Sequence, residues 1–313
     1  MRILLICKDM GGYIRKLSDY LARQGHEVLF IDTSRSSPPL KFLSGKLRSI
    51  VRHRLGLWLV ARNVARFGAA DVMLVVNPGQ VEPGVIERGM AISRLKKAYL
   101  YDSLARSPVS EAWLRRYDEV FSFEKEDAER HGLRKLHNFM YEEGAPQSDT
   151  APRYKAFLVM AGLDRLPLLD TIASRLEHAG YPAYKFMVQY KKPGTVSSQI
   201  TFFRERLSLD DVAPYIRDSD ILIDLVRPRQ SGLSFRVFEG MMYGKKVITN
   251  NASVREYDFF DPANILVIGD ESPDIPTAFL EGKYRPVPDH IRRRYTLQDW
   301  CETVFGTEAA ATR

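Results

Sequence analysis

Residues 220–251, DILIDLVRPRQSGLSFRVFEGMMYGKKVITNN, constrain the fold more than any other stretch. They read as a buried strand, a glycine-bearing loop, one helix, a glycine stop and a second buried strand. Ile221, Leu222, Ile223 and Leu225 form the first strand, and Val247, Ile248 and Thr249 the second. Between them Phe235, Phe238 and Met242 recur at helical spacing, so one helix face packs on the sheet. Arg236, Glu239 and Tyr243 lie on the other face. Ser231, Gly232 and Ser234 stand where the helix begins, and Gly244 is the expected C′ residue. A helix that starts at the end of a parallel strand presents unpaired amides that favour a phosphate. A carboxylate two turns further on can accept bonds from ribose hydroxyls. The competing reading is an ordinary βαβ unit with a solvated Arg236–Glu239 pair.

The same alternation runs along the chain. Residues 3–7 read as a strand, 13–23 as a helix closed by Gly25, and 27–31 as a second strand. Strands follow at 71–76, 97–101 and 119–122, and a short helix at 124–131 is closed by Gly132. The stretch 142–153 is rich in Gly, Pro, Ser and Asp and breaks the pattern, so the domain linker is placed there. A second series then gives strands at 154–160 and 183–188, helices at 167–179 and 209–216, and a final helix at 297–304 carrying Trp300. Strands alternating with helices imply right-handed crossovers and parallel sheets. The expectation is α/β, with two Rossmann-like domains facing across a cleft: 1–145, 152–290, and a tail at 291–313.

Composition narrows the class. A 313-residue chain suits two domains, and 45% hydrophobic residues is ordinary for a soluble globular protein. No apolar run reaches the ~20 residues that span a bilayer. Cys7 and Cys301 suggest neither a disulfide framework nor a metal site, and the default location is the cytoplasm. The net charge of +7 is unevenly placed: from Thr33 to Ala70 there is no acidic residue. That stretch holds Arg35, Lys41, Lys46, Arg48, Arg52, Arg54, Arg62 and Arg66, interleaved with Leu55, Leu57, Trp58, Leu59 and Val60. Such a segment can lie on an anionic membrane at the inner face of the cytoplasmic membrane, or it can be a solvated helix packed on its own domain. No nucleic-acid motif accompanies the charge, so nucleic acid is not expected as a partner.

Polar residues at strand ends are the candidate site. On the first half these are Asp9, Gly11, Gly12, Asp32, Asn77 and Asp102. On the second half they are Gly162, Asp164, Arg165, Gln189, Arg227, Arg229, Gln230 and Asn250. Gly11-Gly12 permits close backbone approach or a plain tight turn; the GxGxxG pattern is absent. Asp102 suits a general base or a turn cap, and Asp9 is the second candidate base. Arg165, Arg227, Arg229 and Arg236 suit a diphosphate or surface ion pairs. No Asp-x-Asp motif in a metal-binding context is present, and no metal or other cofactor is expected.

The run QSGLSFRVFEGMMYGKKVITNN, with YDFFDPANILVIG at 257–269, YDSLARSP at 101–108 and YDEVFSFEKEDAERHGL at 117–133, resembles GT-B glycosyltransferases of bacterial capsule, lipopolysaccharide and exopolysaccharide synthesis. The resemblance implies sugar transfer from a nucleotide-sugar donor to a cell-surface polysaccharide, glycan or lipid-linked acceptor. It places Glu239 on the donor ribose; Gly162 and Asn250 at strand ends, and Ser231 and Gly232 at the helix start, are the positions expected around the nucleotide. It also places Gly11 and Gly12 on the acceptor side, and sets the final helix crossing back to the first domain. The similar GHEV sequence makes His26 structural. Many retaining GT-B enzymes carry two glutamates eight positions apart, and here Ser231 stands at the first, which leans toward inversion. A nucleotide-sugar epimerase of the same fold and a non-catalytic binding or scaffold protein are the alternatives.

Overall fold

The structure, a computed structural model, describes residues 1–9, 11–34, 45–142, 151–190, 200–227, 230–271 and 273–306; of 45–50, 52 and 53 it describes the backbone alone. Arg229, most of the 142–153 stretch, Arg35 and Lys41 lie outside the described residues, as do the side chains of Lys46, Arg48 and Arg52. The chain divides into two compact units. One is Met1–His137 with the chain from Trp300 onward, and the other is Asn138–Asp299.

The first unit runs β1 (Arg2–Cys7), α1 (Tyr13–Arg23), β2 (Glu27–Asp32), α2 (Gly45–Phe67), β3 (Ala70–Val76) and α3 (Pro83–Ile92). It continues with β4 (Ser93–Leu100), α4 (Glu111–Leu114), β5 (Glu119–Ser122), α5 (Lys125–His131) and β6 (Arg134–Lys135). Among the described residues its sheet has six strands, all parallel, in the order β2-β1-β3-β4-β5-β6. Alternate residues Leu4, Ile6, Met73, Val75 and Ala98 meet Val60 and Val64 of α2 and Val85, Ile86 and Met90 of α3 in one core. Helix α3 comes so close that a Cβ on Gly89 would sit 2.6 Å from Met73 Sδ. His26 is buried at the start of β2.

The second unit runs β7 (Tyr154–Ala161), α6 (Leu166–His178), β8 (Tyr184–Gln189), β9 (Ile200–Phe203), α7 (Leu209–Arg217) and β10 (Ser219–Asp224). It continues with α8 (Phe235–Tyr243), β11 (Lys246–Thr249), β12 (Ile265–Val267), α9 (Thr277–Glu281) and α10 (Asp289–Arg292). Its sheet is again parallel and six-stranded among the described residues, in the order β12-β11-β10-β7-β8-β9. Ser208 caps α7 with a reciprocal Asp211 bond, and Ser234 caps α8 through the Arg236 amide at 3.1 Å. Gly244 closes α8 at φ 62°, the left-handed conformation expected at C′.

Lys246 of β11 is fully buried. Its Nζ donates to the carbonyls of Phe279 (2.6 Å), Leu280 (3.2 Å) and Gly282, the C-terminal end of α9. Lys155 adds a bond to Leu280 O at 2.5 Å.

The unit boundary falls at His137 because the next residues pack on the second unit. Asn138, Phe139, Met140 and Tyr141 are all buried there. Helix α11 (Leu297–Phe305) returns the chain to the first unit at Trp300. The Trp300 ring meets Tyr99 edge-on at 5.2 Å and its Nε1 donates to His137 O at 3.1 Å, while Lys97 Nζ donates to Val304 O at 2.6 Å.

Candidate functional site

In the second unit β7 is followed by β8 and β9 on one side, and β10 to β12 lie on the other. The strand order therefore reverses between β7 and β10, and helices leave the sheet in opposite directions at that point. Four of the expected residues, Gly162, Asp164, Arg165 and Arg227, meet there. Gly162 follows β7 at φ +87°, and a Cβ on it would sit 2.9 Å from Asp164 Oδ1. Arg227 follows β10 and donates Nε to Asp164 Oδ2 at 3.0 Å and Nη2 to Ala161 O at 3.3 Å. Arg165 donates Nη1 to Leu225 O at 2.6 Å and Nη2 to Ala161 O at 2.8 Å, stapling the two strand ends together. Burial alone would raise the Asp164 carboxyl; Arg165 and Arg227 outweigh it and hold that carboxyl below its ordinary range.

The loop into α8 is fixed by its carbonyls. Asn251 Nδ2 donates to Ser231 O (3.1 Å) and Gly232 O (3.2 Å), Ser253 Oγ donates to Ser231 O, and Asn138 Nδ2 donates to Leu233 O at 2.9 Å. Because each trans peptide points its N–H opposite to its C=O, these bonds set the direction of the amides of residues 232–234 as well. Asn250 Oδ1 accepts from Val226 N at 2.7 Å and its Nδ2 donates to Asp270, so it steadies the chain leaving β10. Beneath the loop Asp224 is buried and accepts from Ser234 Oγ (2.7 Å) and Thr249 Oγ1 (2.9 Å). Burial raises its pKa, against the two hydroxyl bonds.

The face of α8 that the competing βαβ reading leaves solvated is largely buried. Glu239 is 1% exposed, with Oε2 paired to Arg236 Nη1 at 2.5 Å and Oε1 accepting from Tyr141 OH at 2.9 Å. Tyr243 is buried too, its hydroxyl bonded to Glu142 at 3.3 Å, and burial with Glu142 nearby pushes its pKa up to about 12. The residues covering this face lie about a hundred positions earlier in sequence, so helical periodicity gave no sign of them.

In the first unit Asp102 follows β4. Its Oδ2 accepts from Gln80 Nε2 (2.8 Å) and Asn77 Nδ2 (3.2 Å), and Oδ1 lies 3.3 Å from Arg106 Nη1; the side chain is 14% exposed. Asn77 holds a left-handed conformation, φ 50°, and its Oδ1 accepts the amides of Tyr101 and Asp102. Asp9 is 9% exposed and caps α1: Oδ1 accepts from Gly12 N at 2.8 Å and Oδ2 from Arg15 N at 3.0 Å. Burial raises its pKa, against those amide bonds. Gly12 takes φ 94° in that turn, and a Cβ on Gly11 would strike the Tyr13 ring. Gln80, Asn138, Tyr141, Asp224, Thr249 and Asn251 escaped sequence reading as site residues. The Asn250-Asn251 doublet after a strand, and an aspartate closing the apolar run ILID, were the signals available.

No protein-family model matches the chain, nor does any curated protein. Solved structures do. The Anabaena protein HepE in complex with UDP and glucose is similar at 13% identity and TM-score 0.59, with 99% of each chain covered. A UDP-forming α,α-trehalose-phosphate synthase from Burkholderia xenovorans is similar at 11% identity and TM-score 0.57, over 99% of each chain. A UDP-GlcNAc 2-epimerase from Neisseria meningitidis bound to UDP-GlcNAc is similar at 10% identity and TM-score 0.56, covering 99% of this chain and 100% of the other. At such identities the likeness is one of fold, and the fold is GT-B: two Rossmann-like domains.

Proposed function

We propose that this chain is a glycosyltransferase that moves a sugar from a nucleotide-sugar donor to a cell-surface polysaccharide, glycan or lipid-linked acceptor. The observation that carries the reading is the meeting of Gly162, Arg165 and Arg227 at the switch point of the second unit, one loop away from the pinned start of α8. In this reading the diphosphate lies against the α8 loop amides and Arg227, with Arg165 holding the strand ends beneath it. Glu239 accepts the ribose hydroxyls. An acceptor hydroxyl attacks C1 of the donor sugar, the bond from C1 to the β-phosphate oxygen breaks, and the nucleoside diphosphate leaves with the electron pair. The hydroxyl proton passes to Asp102, and arginine and amide donors hold the charge that develops on the leaving group.

The test is calorimetry with UDP, GDP, CDP and ADP, followed by turnover of the matching nucleotide-sugar. Glu239→Gln is expected to weaken nucleotide binding by about 1–1.5 kcal/mol, the difference between a charged and a neutral acceptor. Binding of none of the four would sink the reading. Donor turnover with no acceptor present would replace transfer with epimerisation or hydrolysis.

A membrane surface as partner draws support from α2. Arg54, Trp58, Arg62 and Arg66 stand exposed on successive turns, opposite the buried Val60 and Val64. Trp58 is 56% exposed, and the Arg62 guanidinium lies 5.5 Å from its ring centroid. Among the described residues no helix is long and apolar enough to cross a membrane. Co-sedimentation with phosphatidylglycerol vesicles is expected, falling with salt and with Arg54→Glu plus Arg62→Glu, at about 1 kcal/mol per charge. Equal binding to phosphatidylcholine vesicles would count against this partner.

A further inference from the structure

We propose that Tyr141 is a positioning residue of the donor site: its hydroxyl occupies the Glu239 oxygen that a ribose hydroxyl takes when the nucleotide enters. The inference rests on the reading of Glu239 as the ribose acceptor and adds what that carboxylate does before a ligand arrives.

The segment 138–142 is a strap laid along the length of α8. Asn138 reaches Leu233 O, and the Phe139 ring meets Phe235 edge-on at 5.2 Å. Tyr141 then bonds Glu239, and Glu142 accepts from Tyr243. As the strap advances, its contacts step through 233, 235, 239 and 243, roughly one helical turn at a time. It therefore runs parallel to the helix and covers the face that holds the carboxylate.

A carboxylate that is 1% exposed must have partners, and those of Glu239 include two of unlike kind. Arg236, on the same helix, supplies the opposite charge at 2.5 Å. Tyr141 supplies a neutral hydroxyl at 2.9 Å, the same donor group that a ribose offers. While the phenol stays, burial leaves no approach to Oε1. When it withdraws, one O–H bond to the carboxylate is exchanged for another, and the carboxylate is never left bare. The cost of displacing the phenol is set against nucleotide affinity.

Tyr141→Phe keeps the ring and removes the competing hydroxyl. It raises the free energy of the ligand-free chain without touching the complex. Calorimetry with whichever of UDP, GDP, CDP and ADP binds the wild-type chain most tightly should show affinity about 10-fold tighter in Tyr141→Phe, the factor carried by a hydrogen bond to a charged group at the low end of its range. The matching nucleoside should gain equally. Inorganic pyrophosphate, which has no ribose, should bind both chains alike, a difference that mere loosening of the fold would not produce. If Tyr141→Phe binds the nucleotide no tighter while Glu239→Gln weakens it, the assignment of Tyr141 is wrong and the ribose reading stands. If Glu239→Gln leaves affinity unchanged, or the wild-type chain binds none of the four nucleotides, the ribose reading falls and takes the assignment with it.

Discussion

Replacing Asp102 by asparagine is expected to lower turnover by about 10²–10⁴-fold while nucleoside diphosphate affinity stays at the wild-type value. The split follows from where the two groups of residues lie. Asp102 belongs to the first unit and the candidate donor residues to the second. The Asp102 side chain is positioned rather than loose: Gln80 and Asn77 donate to one oxygen, and Arg106 stands by the other. Asparagine keeps the shape but offers no lone pair basic enough to take a proton. Asp9 serves as the comparison. One oxygen receives the Gly12 amide that precedes α1 and the other the Arg15 amide in its first turn, so Asp9→Asn is expected to cost stability, about 1 kcal/mol for a weakened cap, more than rate. Near-normal turnover in Asp102→Asn with none in Asp9→Asn would move the base to Asp9. Normal turnover in both would leave the mechanism without either carboxylate.

Lys246→Met is expected to destabilise the second unit by about 3 kcal/mol, because removing a buried ammonium takes its donor from the carbonyls of Phe279 and Gly282 and leaves Leu280 O to Lys155 alone. For a unit of this size that lowers its melting temperature by roughly 6–12 °C. Lys246 is fully buried, and its Nζ reaches the carbonyls of Phe279, Leu280 and Gly282. The last carbonyls of a helix have no partner within the helix, and a buried cation there satisfies them together. Lys155 shares only Leu280 O and is also bonded to Asp220 at 2.6 Å, so Lys155→Met should cost less. Calorimetric melting of the two variants decides the matter. An unchanged transition in Lys246→Met would mean that water reaches the α9 carbonyls once the lysine is gone.

Most strands and the helices α1, α6, α7, α8 and α11 were legible because their apolar periods are local, whereas α3 was missed. Helix α1 runs over the residues expected of it, and Gly132 and Gly244 end α5 and α8 in the left-handed conformation as glycine punctuation implies. The short edge strands β6, β9 and β12 carry too few residues to show a period of two, and β6 and β9 were missed. Within the site, sequence marked which residues stand at strand ends but not what each touches. Arg165 reads as a phosphate cation, yet its guanidinium is bonded to two backbone carbonyls. Arg236, Glu239 and Tyr243 read as an outer polar face. Glu239 and Tyr243 are buried because Tyr141 and Glu142 bond to them, contacts set by tertiary packing at a sequence separation of 98 for the first. The order of strands in each sheet, which decides where the crevice opens, leaves no trace in local pattern either.

Met140 and Thr296 form a lone parallel bridge, and Met140 N donates to Tyr295 O at 2.8 Å. The second unit is thus a module inserted into the sequence of the first, with its entry and exit segments fastened to each other. An insertion whose ends are neighbours adds little loop-closure entropy to the host, however many residues it contains. Lengthening or shortening the chain inside the module leaves the spacing of its two attachment points unchanged. The first unit can therefore complete its fold around the Trp300 return, indifferent to the size of what was inserted.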